Sequence, residues 1–264
     1  MGSAIAQRLK PKYKIWIYDK DNSKLQSLKD ADIAQNNKDL AKKVDALILA
    51  VKPQDFEVTL GEIRDSLKDT LVISIAAGIS TRYIEGILGN VRLVRVMPNM
   101  PAKIGEGVSC LCKGRFASDE DLAFGKMLFD SVGKTLILDE GMMNAATAVS
   151  GSGPGYYFDI LESHWEEYQR GHDKFLSDFN ASLIEAAESV GFSHGEAQVL
   201  AVNTGTGSNL YLEKIKISPS EAKKQIISKG GTTEAGLEAL HKTNSMKEAV
   251  KAALRRAEEL APKE

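Results

Sequence analysis

Short apolar runs and helical stretches alternate along the chain up to residue 138, and after Asp139 the apolar runs stop. That break constrains the fold more than any other feature. Residues 46–51 and 71–75 are continuous apolar runs, as strands covered on both faces require. Residues 14–18, 92–97, 108–112 and 135–138 read as further strands. Helices are expected near 22–29, over 37–43 with Asn37 as cap, from Pro53 to about 67, after a cap at Ser80 or Thr81, and over 118–131; Ile33 and Ala34 fall in a link. Repeated strand–helix units predict an α/β domain built on a parallel, doubly wound sheet. Beyond Asp139 the pattern is helical over 140–147, 154–169, 173–190, 193–213, 218–227, 233–241 and 245–260. The chain therefore divides into a nucleotide-type domain at 1–139 and an all-α domain at 140–264.

Composition narrows the partners. A formal charge of −2 argues against nucleic acid. The basic pairs Lys42-Lys43, Lys223-Lys224 and Arg255-Arg256 read as solvated helix faces. Cys110 and Cys112, the only cysteines, lie two apart on a strand, so they share a face and do not bridge. With four scattered histidines they give no metal spacing. No apolar run reaches membrane-spanning length and no signal peptide opens the chain, so a cytoplasmic protein with reduced thiols is expected.

Two stretches carry chemistry. Ser150-Gly151-Ser152-Gly153-Pro154-Gly155, followed by Tyr156-Tyr157-Phe158, reads as a tight turn feeding a helix that tolerates proline in its first turn. It sits where the two halves join, a natural place for them to meet around a ligand. At the other end, residues 1–9 read as the first helix of a Rossmann-like dinucleotide fold, with Gly2 as the third glycine of the phosphate-binding fingerprint. The strand and two glycines that would precede it, ~10 residues on typical strand lengths, are absent, and N-terminal trimming is the expected reason.

Five segments in register resemble the pyrroline-5-carboxylate reductase family. They are Met1-Gly2-Ser3-Ala4, Ala50-Val51-Lys52-Pro53, Arg95 through Pro101, Ser150 through Tyr156, and Ser228-Lys229-Gly230-Gly231-Thr232-Thr233-Glu234-Ala235-Gly236. The resemblance implies an oxidoreductase of proline biosynthesis that reduces a small cyclic imine with NADPH or NADH. It implies a helical domain that interlocks as a homodimer, grouped further into decamers, with each site completed by the partner. The substrate carboxylate suits the helix start at Gly230, Gly231 and Thr232, where backbone N–H groups converge, with Ser228 in the same signature. Thr233 would hydrogen-bond the ring nitrogen, or else serve as a plain cap. Glu140 matches a family glutamate near the substrate, and Gln225 a position that carries an amide side chain. For the cofactor the resemblance implies Met1, Gly2, Asn37 and Asn99, the strand end Ala50-Val51-Lys52-Pro53, and the small residues Ala76-Ala77-Gly78.

Two departures from the family stand out. Lys229 replaces the usual proline, which adds attraction for a carboxylate or leaves the loop more mobile. Residues 163–174 lengthen the link after the glycine stretch, as a loop or an altered subunit contact. Reduction of another cyclic imine or a β-hydroxyacid, or a non-catalytic relative without cofactor binding, are the alternatives. Asp19, with Lys20 beside it, ends the second expected strand, where an acid accepts from a ribose 2′-OH and repels a 2′-phosphate. NADH should therefore serve at least as well as NADPH. A steady-state comparison of kcat/KM for the two checks this, and a strong NADPH preference would overturn it.

Overall fold

The computed structural model describes residues 1–26, 28 and 30–262, with the side chains of Pro53 and Glu167 outside that description. In chain order the first half runs α1 (Gly2–Leu9), β1 (Trp16–Ile17), α2 (Asn22–Leu25), β2 (Asp32–Ile33), α3 (Asn37–Lys43), β3 (Ala46–Leu49), α4 (Pro53–Ile63), β4 (Leu71–Ser74), α5 (Thr81–Leu88), β5 (Leu93–Pro98), β6 (Gly107–Lys113), α6 (Asp119–Phe129) and β7 (Gly133–Ile137). The second half runs α7 (Met143–Ala146), α8 (Gly153–Ser163), α9 (Trp165–Arg170), α10 (His172–Glu188), α11 (His194–Ile215), α12 (Pro219–Lys224), α13 (Thr232–Thr243) and α14 (Met246–Leu260). Among the described residues, no strand follows Ile137.

The main sheet has five strands in sequence order, β3 to β7. Strands β3, β4 and β5 are parallel, joined by α4 and α5. The expectation of a parallel sheet fails at β6, which runs antiparallel to β5 before β7 runs parallel to β6. The link between β5 and β6 holds only a 3-10 turn, Met100–Ile104. A parallel return needs a crossover of a dozen residues or more, so so short a link can only reverse the chain. Strands β1 and β2 pair with each other in a separate parallel sheet.

Period-two alternation covers both faces of the main sheet. Leu47, Leu49, Val72 and Leu93 meet Phe56, Leu60, Ile63 and Ile84 from α4 and α5. Leu71, Ile73, Val94 and Val96 meet Ile5 and Leu9 of α1 together with Leu128 and Phe129 of α6. On β6 the alternation joins the halves: Leu111 faces the α1–α6 layer, whereas Val108, Cys110 and Cys112 enter the core of the helical half. The cysteines share a face, as their spacing predicts, and both are free thiols.

Several local readings are corrected. Asn36, not Asn37, caps α3 by accepting from the Asp39 N–H. Of Ile33 and Ala34, expected in a link, Ile33 instead joins Asp32 in β2, whose short run gains strand form only by pairing with β1. The 22–29 helix is described as one turn to Leu25, and Ser27 and Lys29 lie outside the described residues. The lengthened 163–174 region is helical, because α9 fits between α8 and α10. There Tyr168 packs edge-on to Phe175, and its hydroxyl donates to Asn209 Oδ1 at 2.8 Å. The tight turn at 150–155 is absent. Residues Thr147–Gly151 form a π-helical segment that runs on toward α8, and the Ser152 N–H donates to the Thr147 carbonyl, five residues back.

One buried acid ties three helices of the second half. Asp159 of α8, with its side chain 8 % exposed, accepts from Lys223 Nζ of α12 at 2.9 Å and pairs with His241 Nε2 of α13 at 2.7 Å. Removing one partner of a buried pair typically costs about 3–5 kcal/mol. Lys223 also holds Glu162, so Asp159→Ala should lie at the low end, about 3 kcal/mol, read as a lowered urea midpoint.

Candidate functional site

Where the helical half meets the sheet, the three glycines of the 150–155 stretch face three different elements. A Cβ on Gly151 would lie 2.7 Å from the Met97 methyl of β5. On Gly153 it would lie 2.6 Å from Thr204 of α11, and on Gly155 it would overlap the Thr233 methyl of α13. Such separations are far inside ordinary carbon–carbon contact, so Gly153 and Gly155, set against threonine methyls in the core, have no room for a side chain, whereas at Gly151 the end of the flexible Met97 side chain would have to move aside. Tyr156, Tyr157 and Phe158 follow, all fully buried, and lock the helix in the core. The one polar side chain among these glycines, Ser152, points at the start of α13. Its Oγ lies 3.1 Å from Thr232 Oγ1 and accepts from Thr233 Oγ1 at 3.2 Å.

The Ser228–Gly231 approach to α13 is held from two sides. The Gly230 N–H donates to Glu234 Oε2 at 2.6 Å, and Arg256 Nε of α14 donates to the Gly230 carbonyl at 2.7 Å. Gly230 has φ +69°, which glycine adopts without strain. Gly231 is the cap residue of α13 and no side chain caps the helix, so the Thr233 hydroxyl is turned to Ser152 and is not a cap. The first-turn N–H groups of α13 stand ready for an anion. Gln225 Oε1 accepts from Tyr211 at 3.2 Å and from Lys103 Nζ at 3.3 Å. Ser228 and Lys229 are exposed. The structure thus brings together Ser228, Gly230, Gly231, Thr232 and Thr233. Sequence reading missed Arg256, Tyr211, Lys103 and the pairing of Ser152 with the threonines.

Glu140 sits elsewhere. Its Oε1 accepts from Arg95 Nη1 at 2.6 Å and from the Thr81 N–H at 3.2 Å, and its Oε2 from Cys112 Sγ at 2.9 Å. None of these partners belongs to the 228–233 segment. Burial pushes the carboxyl up, yet the Cys112 hydrogen bond and the Arg95 charge outweigh it and hold the group below its ordinary 4.5. Burial, the largest cause, also drives both thiols up, Cys110 to about 12, so neither is a ready nucleophile. Glu140 acts as a strut between β5, β6 and the start of α5.

The residues suggested for a cofactor divide as well. Gly2 abuts the end of β3, where an added Cβ would lie 2.8 Å from Ala50 Cβ. Val51 and Lys52 follow that strand end, with Pro53 opening α4. Buried Ala76, exposed Ala77 and Gly78 at φ +75° follow β4, and the Ala76 N–H donates to Ser74 Oγ. These two sites are neighbouring carboxyl ends of parallel strands, where open α/β sheets bind ligands, and their small residues suit a dinucleotide. Asp19 Oδ1 accepts from the Asp21 N–H at 2.9 Å, and the carboxylate pairs with Lys24 at 3.4 Å. Three others are engaged within the protein. Lys20 pairs with Asp55 at 2.7 Å, and Asn37 Nδ2 donates to Glu62 at 2.7 Å. Asn99 is buried, accepting from the Val108 N–H and donating to Thr204 Oγ1.

Comparison with known proteins adds an independent line. Residues 175–260 match the family model described as pyrroline-5-carboxylate reductase dimerisation, and residues 1–78 the one described as NADP oxidoreductase coenzyme F420-dependent. The pyrroline-5-carboxylate reductase of Haemophilus influenzae is 34 % identical over 95 % of this chain and 89 % of its own. That of Synechocystis is 31 % identical over 90 % of this chain and 84 % of its own. Among solved structures, the pyrroline-5-carboxylate reductase of Coxiella burnetii superposes with a TM-score of 0.66 at 29 % identity, covering 99 % of this chain and 95 % of that one. The Plasmodium falciparum pyrroline carboxylate reductase with NADP bound gives 0.64 at 27 % identity, covering 99 % and 96 %.

The Glu140 strut has a pH signature. Because its folded pKa is depressed, its contribution is present above the ordinary 4.5 and is lost as pH falls through the lower folded value. Glu140→Gln should cost about 1 kcal/mol at neutral pH, given its partial exposure, and flatten the fall in stability below pH 4.5. Urea midpoints from pH 7 to pH 3 for both proteins check this.

Proposed function

The chain belongs to the pyrroline-5-carboxylate reductase family, and we propose that it reduces 1-pyrroline-5-carboxylate to L-proline with NADH or NADPH, the last step of proline biosynthesis. The observation that carries this reading is the glycine-lined junction. There Met97, near the end of β5, lies against Gly151, and the Thr232 and Thr233 hydroxyls, which follow Gly230–Gly231 at the start of α13, meet Ser152.

The reaction adds hydride to the C=N carbon of an imine whose nitrogen takes up a proton. A bound nicotinamide cofactor supplies the hydride. Gly2, Asp19, Val51, Lys52 and Ala76-Ala77-Gly78 are the residues we assign to holding it. On the substrate side, the first-turn amides of α13 take the carboxylate, with Gly230 and Gly231 allowing close approach. Thr233 gives its proton to Ser152 Oγ, so its oxygen lone pairs are free to accept from the N–H of a protonated iminium. Such an iminium accepts hydride without a strong protein acid. Positioning and exclusion of water then supply most of the rate, and the buried Tyr156–Phe158 run beside the site keeps that face dry.

We place the domain division between residues 139 and 140, and the protein in the cytoplasm as a homodimer assembled further into decamers. The dimerisation model matched over 175–260 supports the pairing of helical halves. No described helix is long and apolar enough to cross a membrane.

Following NAD(P)H absorbance with pyrroline-5-carboxylate tests the proposal. Wild-type protein should turn over, and Thr233→Val, which keeps the shape but loses the acceptor, should lower kcat/KM about 10- to 100-fold. Absence of turnover by the wild-type protein would overturn the reading. Turnover confined to a different imine would move it to another reductase.

A further inference from the structure

The loop between β4 and α5 runs from Ile75 to Ser80 and includes Ala76, Ala77 and Gly78, assigned above to the cofactor. Gly78 bends it at φ +75°, and Ala77 is exposed. Exposed, glycine-bent chain keeps one shape only where its ends are tied down. Both ends are tied here, and both ties lead to Arg95. At the start, the Ala76 N–H donates to Ser74 Oγ, and Ser74 lies beside Arg95 in the register of β4 and β5. At the far end, the N–H of Thr81, the first residue of α5, donates to Glu140 Oε1 at 3.2 Å. The same carboxylate oxygen accepts from Arg95 Nη1 at 2.6 Å. Among the described residues Arg95 makes its ion pair with Glu140, and its buried Nη2 has no partner.

Strands β4 and β5 pair through their own backbones, so the Thr81 contact fixes the loop and not the sheet. Glu140 is well placed for this. It follows the last strand, at the entry to the helical half, and reaches back fifty-nine residues to Thr81. A loop held in its receiving shape before a ligand arrives binds that ligand more tightly, because its ordering is complete beforehand. We propose that Arg95 and Glu140 are positioning residues for the cofactor. Arg95 orients the carboxylate, the carboxylate holds the Thr81 amide, and residues 76–80 keep the shape that receives the dinucleotide. This assignment rests on the cofactor site given above. It ties Glu140 to cofactor affinity without any contact to substrate or cofactor.

Fluorescence titration of NADH onto the full chain, with no imine present, tests this alongside steady-state kinetics. Glu140→Ala removes the acceptor, whereas Glu140→Gln keeps an oxygen for the Thr81 amide. Thr81→Pro removes the N–H donor and leaves the Arg95–Glu140 pair in place. Proline suits that position, because Thr81 opens α5 and Ser80 before it is extended, at φ −74° and ψ 157°. Glu140→Ala and Thr81→Pro should each raise the Kd for NADH by about 3- to 30-fold. The double variant should bind no more weakly than the weaker single one, since both changes cut the same tie. Glu140→Gln should stay within about threefold of wild type, and KM for pyrroline-5-carboxylate within about twofold throughout. A carboxylate that only braces the fold would lower the urea midpoint and leave the Kd of the folded variants unchanged, which would overturn the assignment. Losses that add in the double variant, or an equal rise in KM for pyrroline-5-carboxylate, would overturn it too. Wild-type protein that binds NADH but reduces no imine would refute the proposed reaction, while the titration still decides the role of Glu140.

Discussion

The contact between three glycines on different sides of one helical segment and three neighbouring elements is the constraint on which the rest of this structure depends. Gly151, Gly153 and Gly155 each stand where a single added carbon would collide with β5, α11 or α13. Protein interiors have little slack to absorb such a collision, so these glycines set how closely the segment approaches its neighbours, Gly151 against the sheet half and Gly153 and Gly155 within the helical half. That spacing brings Ser152 within hydrogen-bond distance of two threonines eighty and eighty-one residues away. The site follows from packing first and polar chemistry second.

The charged groups around the site follow the same logic. The buried or partly buried carboxylates nearby are already paired: Asp159 with Lys223 and His241, Glu140 with Arg95, Cys112 and the Thr81 amide, and Glu234 with the Gly230 amide. They join elements to one another and are engaged within the protein. An imine that accepts hydride in its protonated form asks for little else. The chain holds its substrate in place and spends its titratable groups on rigidity.

What could be read from the sequence was what is local or repeated. The apolar runs at 46–51 and 71–75 became β3 and β4; β4 is buried throughout and β3 alternates buried with half-buried residues, so both leave an unbroken apolar signal. Ser118, Ser193 and Ser218 announce their helices through capping boxes closed within three residues. The family's substrate signature marked the start of α13 for the same reason. Features made by distant partners stayed hidden. The two-residue β2 exists only through β1, the reversal of β6 depends on what the β5–β6 link does not contain, and Glu140 could not be seen to face Arg95 and Cys112. Gly230 likewise depends on Arg256, twenty-six residues further along the chain. Nothing in the 147–151 sequence distinguishes a wide helical turn from a tight one, since that choice is made by Met97 and the elements crowding the glycines.

The π-helical segment at Thr147–Gly151 has a consequence for how this protein can tolerate change. A wide turn holds an extra residue, and each residue of an α-helix advances the side-chain direction by about 100°. Every side chain from Ser152 onward is therefore turned relative to an unbroken helix begun at Met143. Deleting one residue from the segment would restore ideal geometry locally and swing Ser152 away from Thr232 and Thr233. The same deletion would carry Tyr156 and Tyr157 out of their buried places. The helix is kept irregular so that its two ends can obey different neighbours, which makes chain length in this one turn as strongly constrained as any residue identity.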